Sequence, residues 1–394
     1  MAKPGQKPVA AISGLGFSTL SRKPAGTTRE LAAVAIEAAI NDAGLKKTAI
    51  DGLLINRSPL STSEELPLRL QNDLGLHDLS LLAHVDSEGS SAVQIIQYAA
   101  LAIAQGLANH VVCVFADSPV KPQGGGESFA IGLPISGIDG WEDQQGFVSA
   151  IAAYALVAQR HMTTYGTREE DLAAYAMSCR EWAMRSPQAF LKKPLTLTDY
   201  LASPHIVWPF RVLDCAFPVN GAIAVIVTSV AEAQSGPNPP VYIHGMGQGH
   251  KGRSGLRGDD LVITTGAALA AERAYRNAGV TANQITACEF YDAFSFSGIM
   301  SLEEYGFCQR GEAAAFITAG HTRPGGKLPV NTGGGHLSGF YLQGMTPVAE
   351  GIIQVRGTGE GRQVERNDLI LVTGSGGCFD YHACLLLSPH ASLS

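Results

Sequence analysis

The sequence predicts an α/β fold. Short apolar runs of β type recur just before long alanine-rich segments with helical spacing, and the same order starts again after a proline-rich break. Residues 8–13 (PVAAIS) and 110–116 (HVVCVFA) have the unbroken hydrophobicity of buried strands. Residues 28–43 (TRELAAVAIEAAINDA) read as a helix that stops at Gly44, a C′ glycine. Residues 89–106 (GSSAVQIIQYAALAIAQG) are apolar on nearly every face, which predicts a helix enclosed by other structure. The Gly-, Pro- and Ser-rich stretch 119–137 has no consistent period and reads as a loop excursion over a binding face. Helical patterns resume over 145–185, and a β run at 222–229 (AIAVIVTS) closes the first part.

The segment SGPNPP at 235–240 interrupts both helix and sheet, because consecutive prolines restrict the residues before them. It divides the chain into an N-terminal half, 1–235, with a loop excursion at about 119–205, and a C-terminal half, 236–394. Beyond it come a strand (PVYIHGMG), a helix near 264–278, and a final pair of strands at 368–373 (DLILVT) and 382–388 (HACLLLS). Two βα-rich halves of unequal size in the same order imply an internal pseudo-repeat.

Composition narrows the function classes. With 394 residues, 45% hydrophobic and 16% charged, the chain has enough apolar material for a large core and too little charge for disorder. A formal charge of -7 without any Lys/Arg-rich run argues against a nucleic-acid or anionic-membrane surface. Apolar stretches such as AIAVIV at 222–227 fall far below the ~18 residues of a membrane span, and no signal-type apolar run opens the chain. A cytoplasmic protein is expected. The seven cysteines are odd in number, widely spaced and form no CxxC pair, so neither a disulfide framework nor a metal site is expected. The glycine clusters 124–126 and 333–335 lack the spacing of a P-loop or dinucleotide fingerprint, which excludes nucleotide hydrolysis and hydride transfer.

Four stretches, taken together and in this order, resemble the thiolase superfamily and its lipid-transfer-protein branch. They are DSEGSSAVQ at 86–94, FPVNGAIAVI at 217–226, EFYDAFSFSGIMSLEEYGFCQRGE at 289–312 and LPVNTGGGHLSGFYLQGMTPVAEGIIQVRG at 328–357. The resemblance covers nearly the whole chain. It implies a five-layered αβαβα body of two pseudo-repeated halves, a homodimeric core, and acyl-CoA chemistry where the halves meet.

The departures from the pattern decide the expected chemistry. The family's nucleophilic Cys, three residues before the glycine that opens the central helix, is replaced by Asp86 in Asp86-Ser87-Glu88-Gly89. Asp86 reads either as a polar acid–base group in a remodelled pocket or as a plain N-cap. The N-E-A-F or H-D-C-F motif matches Tyr291-Asp292-Ala293-Phe294, so a phenol stands where the family has an amide or imidazole. The G-H-P segment matches Gly339-Phe340-Tyr341, which removes the catalytic His and places Tyr341 at the Pro position. The last Cys, of C-x-G-G-G, is Thr373 in Thr373-Gly374-Ser375-Gly376-Gly377.

Without a thiolate and an activating imidazole, Claisen chemistry through an acyl-enzyme has no nucleophile. Two phenols remain. Tyr291 and Tyr341, at motif positions facing one pocket, make the sequence similar to the steroid side-chain-cleaving aldolases of the Ltp2 type, which implies retro-aldol cleavage of a β-hydroxyacyl-CoA. A phenol can serve as acid, as base, or as neutral donor to an enolate, so the pair is assigned these roles with the individual assignment open. The bland reading is that both are buried packing residues.

Further candidates carry smaller weight. His336 is a donor, a CoA contact, or a loop histidine bonded to backbone; Gly334, Gly335 and Gly339 of the same loop are candidates for lining the CoA thioester. Asp292, adjacent to Tyr291, is expected to be structural, and Asn220, where the family has Asp, to keep a turn. Arg211, Lys192 and Lys193 are possible phosphate contacts or simply solvated. Phe294, Phe296 and Phe340 line a pocket for a bulky apolar product or belong to the core. The resemblance implies no cofactor beyond CoA as part of the substrate, and an OB-fold (DUF35-type) protein partner forming a heterotetramer around the dimeric core. Two rivals stay open. One is an acyltransferase or condensing enzyme that uses an unconventional nucleophile such as Cys378 or Ser87. The other is a non-catalytic scaffold subunit for an OB-fold or hydratase partner.

Overall fold

The computed structural model describes residues 7–58, 66–120, 144–145, 149–252 and 265–393. Residues 121–143, with the glycine cluster 124–126 and most of the stretch read as a loop excursion, lie outside the described residues. The strands are β1 (Ala10–Phe17), β2 (Gly52–Asn56), β3 (Leu81–Val85), β4 (His110–Asp117), β5 (His205–Val207), β6 (Phe210–Arg211), β7 (Gly221–Thr228), β8 (Val241–His250), β9 (Ala287–Glu289), β10 (Ile370–Gly376) and β11 (Tyr381–Ser388). The helices are α1 (Thr28–Asp42), α2 (Leu66–Leu74), α3 (Ser91–Ala104), α4 (Ala150–Tyr165), α5 (Glu169–Ala183), α6 (Leu197–Ala202), α7 (Val230–Ser235), α8 (Ala267–Ala278), α9 (Ser295–Glu304), α10 (Ala313–Thr318) and α11 (Met345–Arg356).

Nine strands form one sheet in the order β3-β2-β4-β7-β1-β8-β11-β10-β9, while β5 and β6 pair separately. Outward from the centre, the first half runs through β1, an antiparallel β7, then β4 and β2, and the second through β8, an antiparallel β11, then β10 and β9. In each half the first strand lies beside the last, which is the pseudo-repeat in topological form. The two halves join where β1 pairs antiparallel with β8, from Ala10 opposite Ile243 to Ile12 opposite Val241.

Both halves use the same device to seat an outer helix. In β1, a Cβ on Gly16 would come within 2.2 Å of the Ala35 carbonyl oxygen of α1; in β8, one on Gly247 would come within 1.9 Å of the Ala270 carbonyl oxygen of α8. Glycine on the strand and alanine on the helix let the two backbones approach. α1 starts at a capping box, in which Thr27 Oγ1 accepts from the Glu30 backbone and Glu30 returns the bond, and the chain leaves it through Gly44 at φ 68°.

Three apolar clusters define the five layers. α1 and α2 pack on the outer face of the first half. α3 and α11 lie between the halves and touch strands of both, and their neighbourhood buries Ile95, Ile96, Val348 and Ile352 completely. This explains the all-round apolar character of 89–106, although Tyr98 and Leu101 keep one face of α3 in solvent. On the outer face of the second half, α8, α9 and α10 share a core with α4, α5 and the β6 residue Phe210. In packing terms the segment 150–210 therefore belongs with the second half, although in sequence it precedes the proline break.

Candidate active site

The chain leaves β9 at Glu289, a short parallel neighbour of β10, and the next turn is held by side-chain acceptors. Asn331 Oδ1 accepts the Phe290 N–H at 2.6 Å, and Thr373 Oγ1 accepts the Tyr291 N–H at 3.0 Å. Thr373, at the place of the family's last Cys, is thus an anchor for the Tyr291 backbone. The second tyrosine arrives on a tight turn, Gly335–Gly339, entered through Gly334 at φ 96° and Gly335 at φ 59°. Only glycine enters this backbone without strain, and a Cβ on Gly335 would stand 2.3 Å from Asp292 Oδ2. Conformation and packing thus account for glycine at 334 and 335. At 339, a Cβ would stand 2.8 Å from the Gly333 carbonyl oxygen. The turn is then sewn down: Phe217 donates to the His336 carbonyl at 2.7 Å, and Tyr341 donates to the Phe217 carbonyl at 2.8 Å.

These two loops bring the phenols together. Tyr291 Oη and Tyr341 Oη are 2.8 Å apart, with ring planes at 76°. Tyr291 is buried, while Tyr341 keeps partial exposure. Burial pushes both hydroxyls above the ordinary phenol range, and the neighbouring phenol and the Glu88 carboxyl add to it at Tyr291. At Tyr341 the bond to Tyr291 works in the opposite direction, and Asp117 and Glu88 push upward. Both are therefore protonated at neutral pH, and one donates to the other.

The opening of α3 forms the opposite wall. Gly89 has room for no side chain, because a Cβ would lie 2.3 Å from Tyr291 Oη and 2.3 Å from the Ser375 carbonyl oxygen. Gly89→Ala is accordingly expected to displace the phenol. We expect a fall in kcat of about 10²-fold, the cost of misplacing a reacting group by roughly 1 Å. A loss of about 1–3 kcal/mol from overpacking should accompany it. Steady-state product release and urea unfolding check the two parts.

The remaining sequence candidates are placed as follows. His336 is fully buried, its ring edge-on to both tyrosines with centroids 4.8 and 4.9 Å away. Its Nε2 donates to the Gln343 carbonyl at 2.8 Å, its backbone N–H donates to Asp292 Oδ1 at 2.7 Å, and burial lowers its pKa to about 3. The imidazole is neutral and bonded to backbone. Asp292 lies beneath the same turn, and burial raises its carboxyl to about 7. Asp86 is half-exposed and pairs with Arg57 at 2.9 Å; it does not cap α3, whose N-cap is Ser90. Asn220 keeps the turn, accepting from Val120 at 2.7 Å and donating to Lys23 and Val120 carbonyls. Arg211 is committed to Glu169 at 2.9 Å, and Lys192 donates to the Pro187 carbonyl. Phe296 and Phe340 are core residues, and Phe294 stacks on Phe210.

Burial pushes Cys113, Cys179, Cys288 and Cys384 well above the usual thiol value, and Cys215 and Cys308 to about 12. Cys378 is half-buried against the outer core, and the Ser87 hydroxyl donates to Gln94 at 2.9 Å.

Sequence reasoning passed over three residues. Glu88 adopts φ 49° and joins the turn before α3 to the loop after β10, accepting from Gly377 N at 2.7 Å. Tyr154 packs in van der Waals range of this loop through Phe379, at 4.5 Å between centroids. Asp117 ends β4 buried. A carboxylate closing an apolar strand was the signal for it; nothing local marks the other two.

Layers and paired loops of this kind define a thiolase-fold enzyme whose thiol and imidazole positions carry other residues. The model of the family described as "Thiolase C-terminal domain-like" matches residues 247–389. A "Steroid side-chain-cleaving aldolase" of Thermomonospora curvata is 33% identical over 386 residues, 93% of this chain and 95% of the relative. The "17-hydroxy-3-oxo-4-pregnene-20-carboxyl-CoA lyase" of Mycobacterium tuberculosis is 31% identical over 377 residues, 93% and 96% of the two chains. Among solved structures, an "Ltp2-ChsH2(DUF35) aldolase" superposes with a TM-score of 0.87 at 32% identity, covering 97% of this chain and 98% of that one. Human mitochondrial 3-ketoacyl-CoA thiolase, at 14% identity and a TM-score of 0.70, shares the fold. The chain belongs to the thiolase superfamily, in its branch of steroid side-chain-cleaving aldolases of the Ltp2 type, and is a carbon–carbon lyase.

Proposed function

We propose that the chain cleaves the Cα–Cβ bond of a β-hydroxyacyl-CoA on a steroid side chain, giving a ketone and a short acyl-CoA with no covalent acyl-enzyme. The observation that carries this reading is the hydrogen bond of 2.8 Å between Tyr291 and Tyr341. The β-hydroxyl loses its proton, its C–O bond becomes a carbonyl, and the electrons of the Cα–Cβ bond pass to the α-carbon as a thioester enolate. That carbon then takes up a proton. Two adjacent phenols offer an acceptor for the first proton and a neutral donor for the enolate oxygen. His336 is given a positioning role beneath the rings, Gly334, Gly335 and Gly339 a scaffold role in the turn, and Asp86 an electrostatic role at the rim with Arg57.

The names of the relatives support a steroid CoA thioester as substrate, and that of the superposed complex supports a DUF35-type OB-fold partner. We propose a homodimeric core with that partner in the cytoplasm, with CoA present as part of the substrate. Among the described residues no helix is long and apolar enough to cross a membrane.

The test is incubation of the chain, co-expressed with its DUF35-type partner, with 17-hydroxy-3-oxo-4-pregnene-20-carboxyl-CoA. Equal amounts of steroid ketone and short acyl-CoA are expected, with an unchanged intact protein mass throughout turnover. A stoichiometric acyl adduct would instead establish a nucleophile such as Cys378 or Ser87.

A further inference from the structure

The two loops that carry the phenols are joined by a ladder of hydrogen bonds whose first rung is a side chain. Asp292, the residue after Tyr291, is fully buried, and its Oδ1 accepts the His336 N–H at 2.7 Å. The His336 carbonyl accepts from Phe217 N at 2.7 Å, and the Phe217 carbonyl accepts from Tyr341 N at 2.8 Å. These bonds lead from the residue beside one phenol to the backbone of the other. Thr373 fixes the first end by accepting the Tyr291 N–H. Asp292 also acts on the rings, because the main chain it holds carries the imidazole that lies edge-on to both tyrosines.

The surroundings of the carboxylate aim it at this task. Tyr175 Oη and Cys179 Sγ of α5 donate weakly to Oδ2, at 3.5 and 3.6 Å, and Asn331 Nδ2 donates to Tyr175 Oη at 3.1 Å. Among the described residues no lysine or arginine pairs with Asp292, and the His336 ring, with Nδ1 3.4 Å from Oδ1, is neutral. Enclosing a carboxyl without a cation is costly. What this group does that an apolar side chain of its size could not is receive an N–H from a turn 44 residues away. A backbone rung runs beside it, in which Ala216 donates to the Ala293 carbonyl at 2.9 Å. That rung keeps the loops adjacent whatever stands at 292, so loss of the carboxylate should loosen the glycine turn without undoing it.

We infer that Asp292 is a positioning residue for the retro-aldol reaction, which sets the separation of the Tyr291 and Tyr341 hydroxyls through the His336 backbone. The hydroxyls stand 2.8 Å apart, in the ordinary range for O–H···O. A displacement of a reacting group by roughly 1 Å costs about 10²-fold in rate, so the clasp has a measurable effect. The acceptor oxygen matters here and the charge does not, because the rung is a bond to a neutral N–H. This inference rests on the assignment of the two tyrosines as reacting groups.

The experiment compares wild type, Asp292→Ala, Asp292→Asn, Tyr341→Phe and the double variant Asp292→Ala/Tyr341→Phe, in the co-expressed complex with the same steroid thioester. Asp292→Ala should lower kcat about 10²-fold with KM within about threefold, and its crystal structure should show the two hydroxyls beyond about 3.5 Å. Asp292→Asn should keep kcat within about threefold, since its amide oxygen accepts the same N–H. In the Tyr341→Phe background Asp292→Ala should cost less than about threefold more, because the pair whose spacing it sets is already broken. Wild-type kcat in Asp292→Ala, an unmoved hydroxyl pair, or a full 10²-fold loss repeated in the Tyr341→Phe background overturns the positioning role. An equal loss in folded Asp292→Asn overturns it too, by assigning the effect to charge. With any of these, a large loss in Tyr341→Phe alone leaves the tyrosine assignment standing, whereas full activity in Tyr341→Phe overturns both. Should Asp292→Ala fail to fold, Asp292→Ser, whose hydroxyl is too short to reach the turn, takes its place with the same expected and overturning results.

Discussion

Replacing Tyr341 with Phe is expected to lower kcat for ketone release by roughly 10²–10⁴-fold while KM stays within a few-fold. The substitution removes one oxygen from a partly exposed ring and leaves the backbone bonds of Tyr341 to Phe217 intact, so the loop should hold its shape. The hydroxyl's bond to Tyr291 contributes about 0.5–1.5 kcal/mol, too little to unfold a chain of this size. Tyr291→Phe should give a loss of the same order, and the double variant should lose less than the product of the two, because the phenols share one hydrogen bond. Unchanged turnover in both single variants would assign the chain to a scaffold role for its partner. Rapid-quench measurement of ketone formation, beside thermal melting, separates the outcomes.

The second large effect concerns stability. Arg362 bonds Glu350 twice, at 2.8 and 3.1 Å, and Thr332 sets its hydroxyl between Glu350 and Glu289. All three charged residues are buried, and burial together with the Glu350 charge pushes Glu289 upward. Arg362→Met leaves two enclosed carboxylates without a cation, so a loss of about 3–5 kcal/mol is expected near pH 7.5. A carboxyl raised in the folded state, as that of Glu289 is, costs stability above its unfolded value and nothing once protonated in both states, so the deficit should shrink as pH falls toward 5. Urea unfolding at the two pH values checks both the size and the sign. Because Thr332 precedes the glycine turn that carries His336 and leads to Tyr341, a milder variant such as Arg362→Lys should lower kcat before it lowers yield.

The regular elements were legible because their signals are local. The apolar run at 110–116, the capping residues around 28–43 and the glycine at 44 each act within a few residues of themselves. The pairing of Tyr291 with Tyr341 was legible through motif positions, since fifty residues of intervening chain give no periodicity that would bring them together. What escaped notice depends on distant partners. Asp86 found Arg57 on the strand end beside it, where an N-cap reading considers only its own helix. His336 is neutral because layers from elsewhere exclude water. The segment 150–210 joins the outer core of the other half, a choice made by apolar area offered across the molecule. Glu88 shows itself only as a backbone angle.

The placement of α3 sets an order of events during synthesis. One side of this helix meets β2, β4 and β7, but the other is covered by β10 and β11, which leave the ribosome some 280 residues later. Until then a nearly all-apolar cylinder stands half-clothed on the nascent chain, a sticky surface that must be shielded or kept from its neighbours. Assembly of the body is thereby deferred to the last strands, so the platform beneath the phenols is completed only when almost the whole polypeptide has been made.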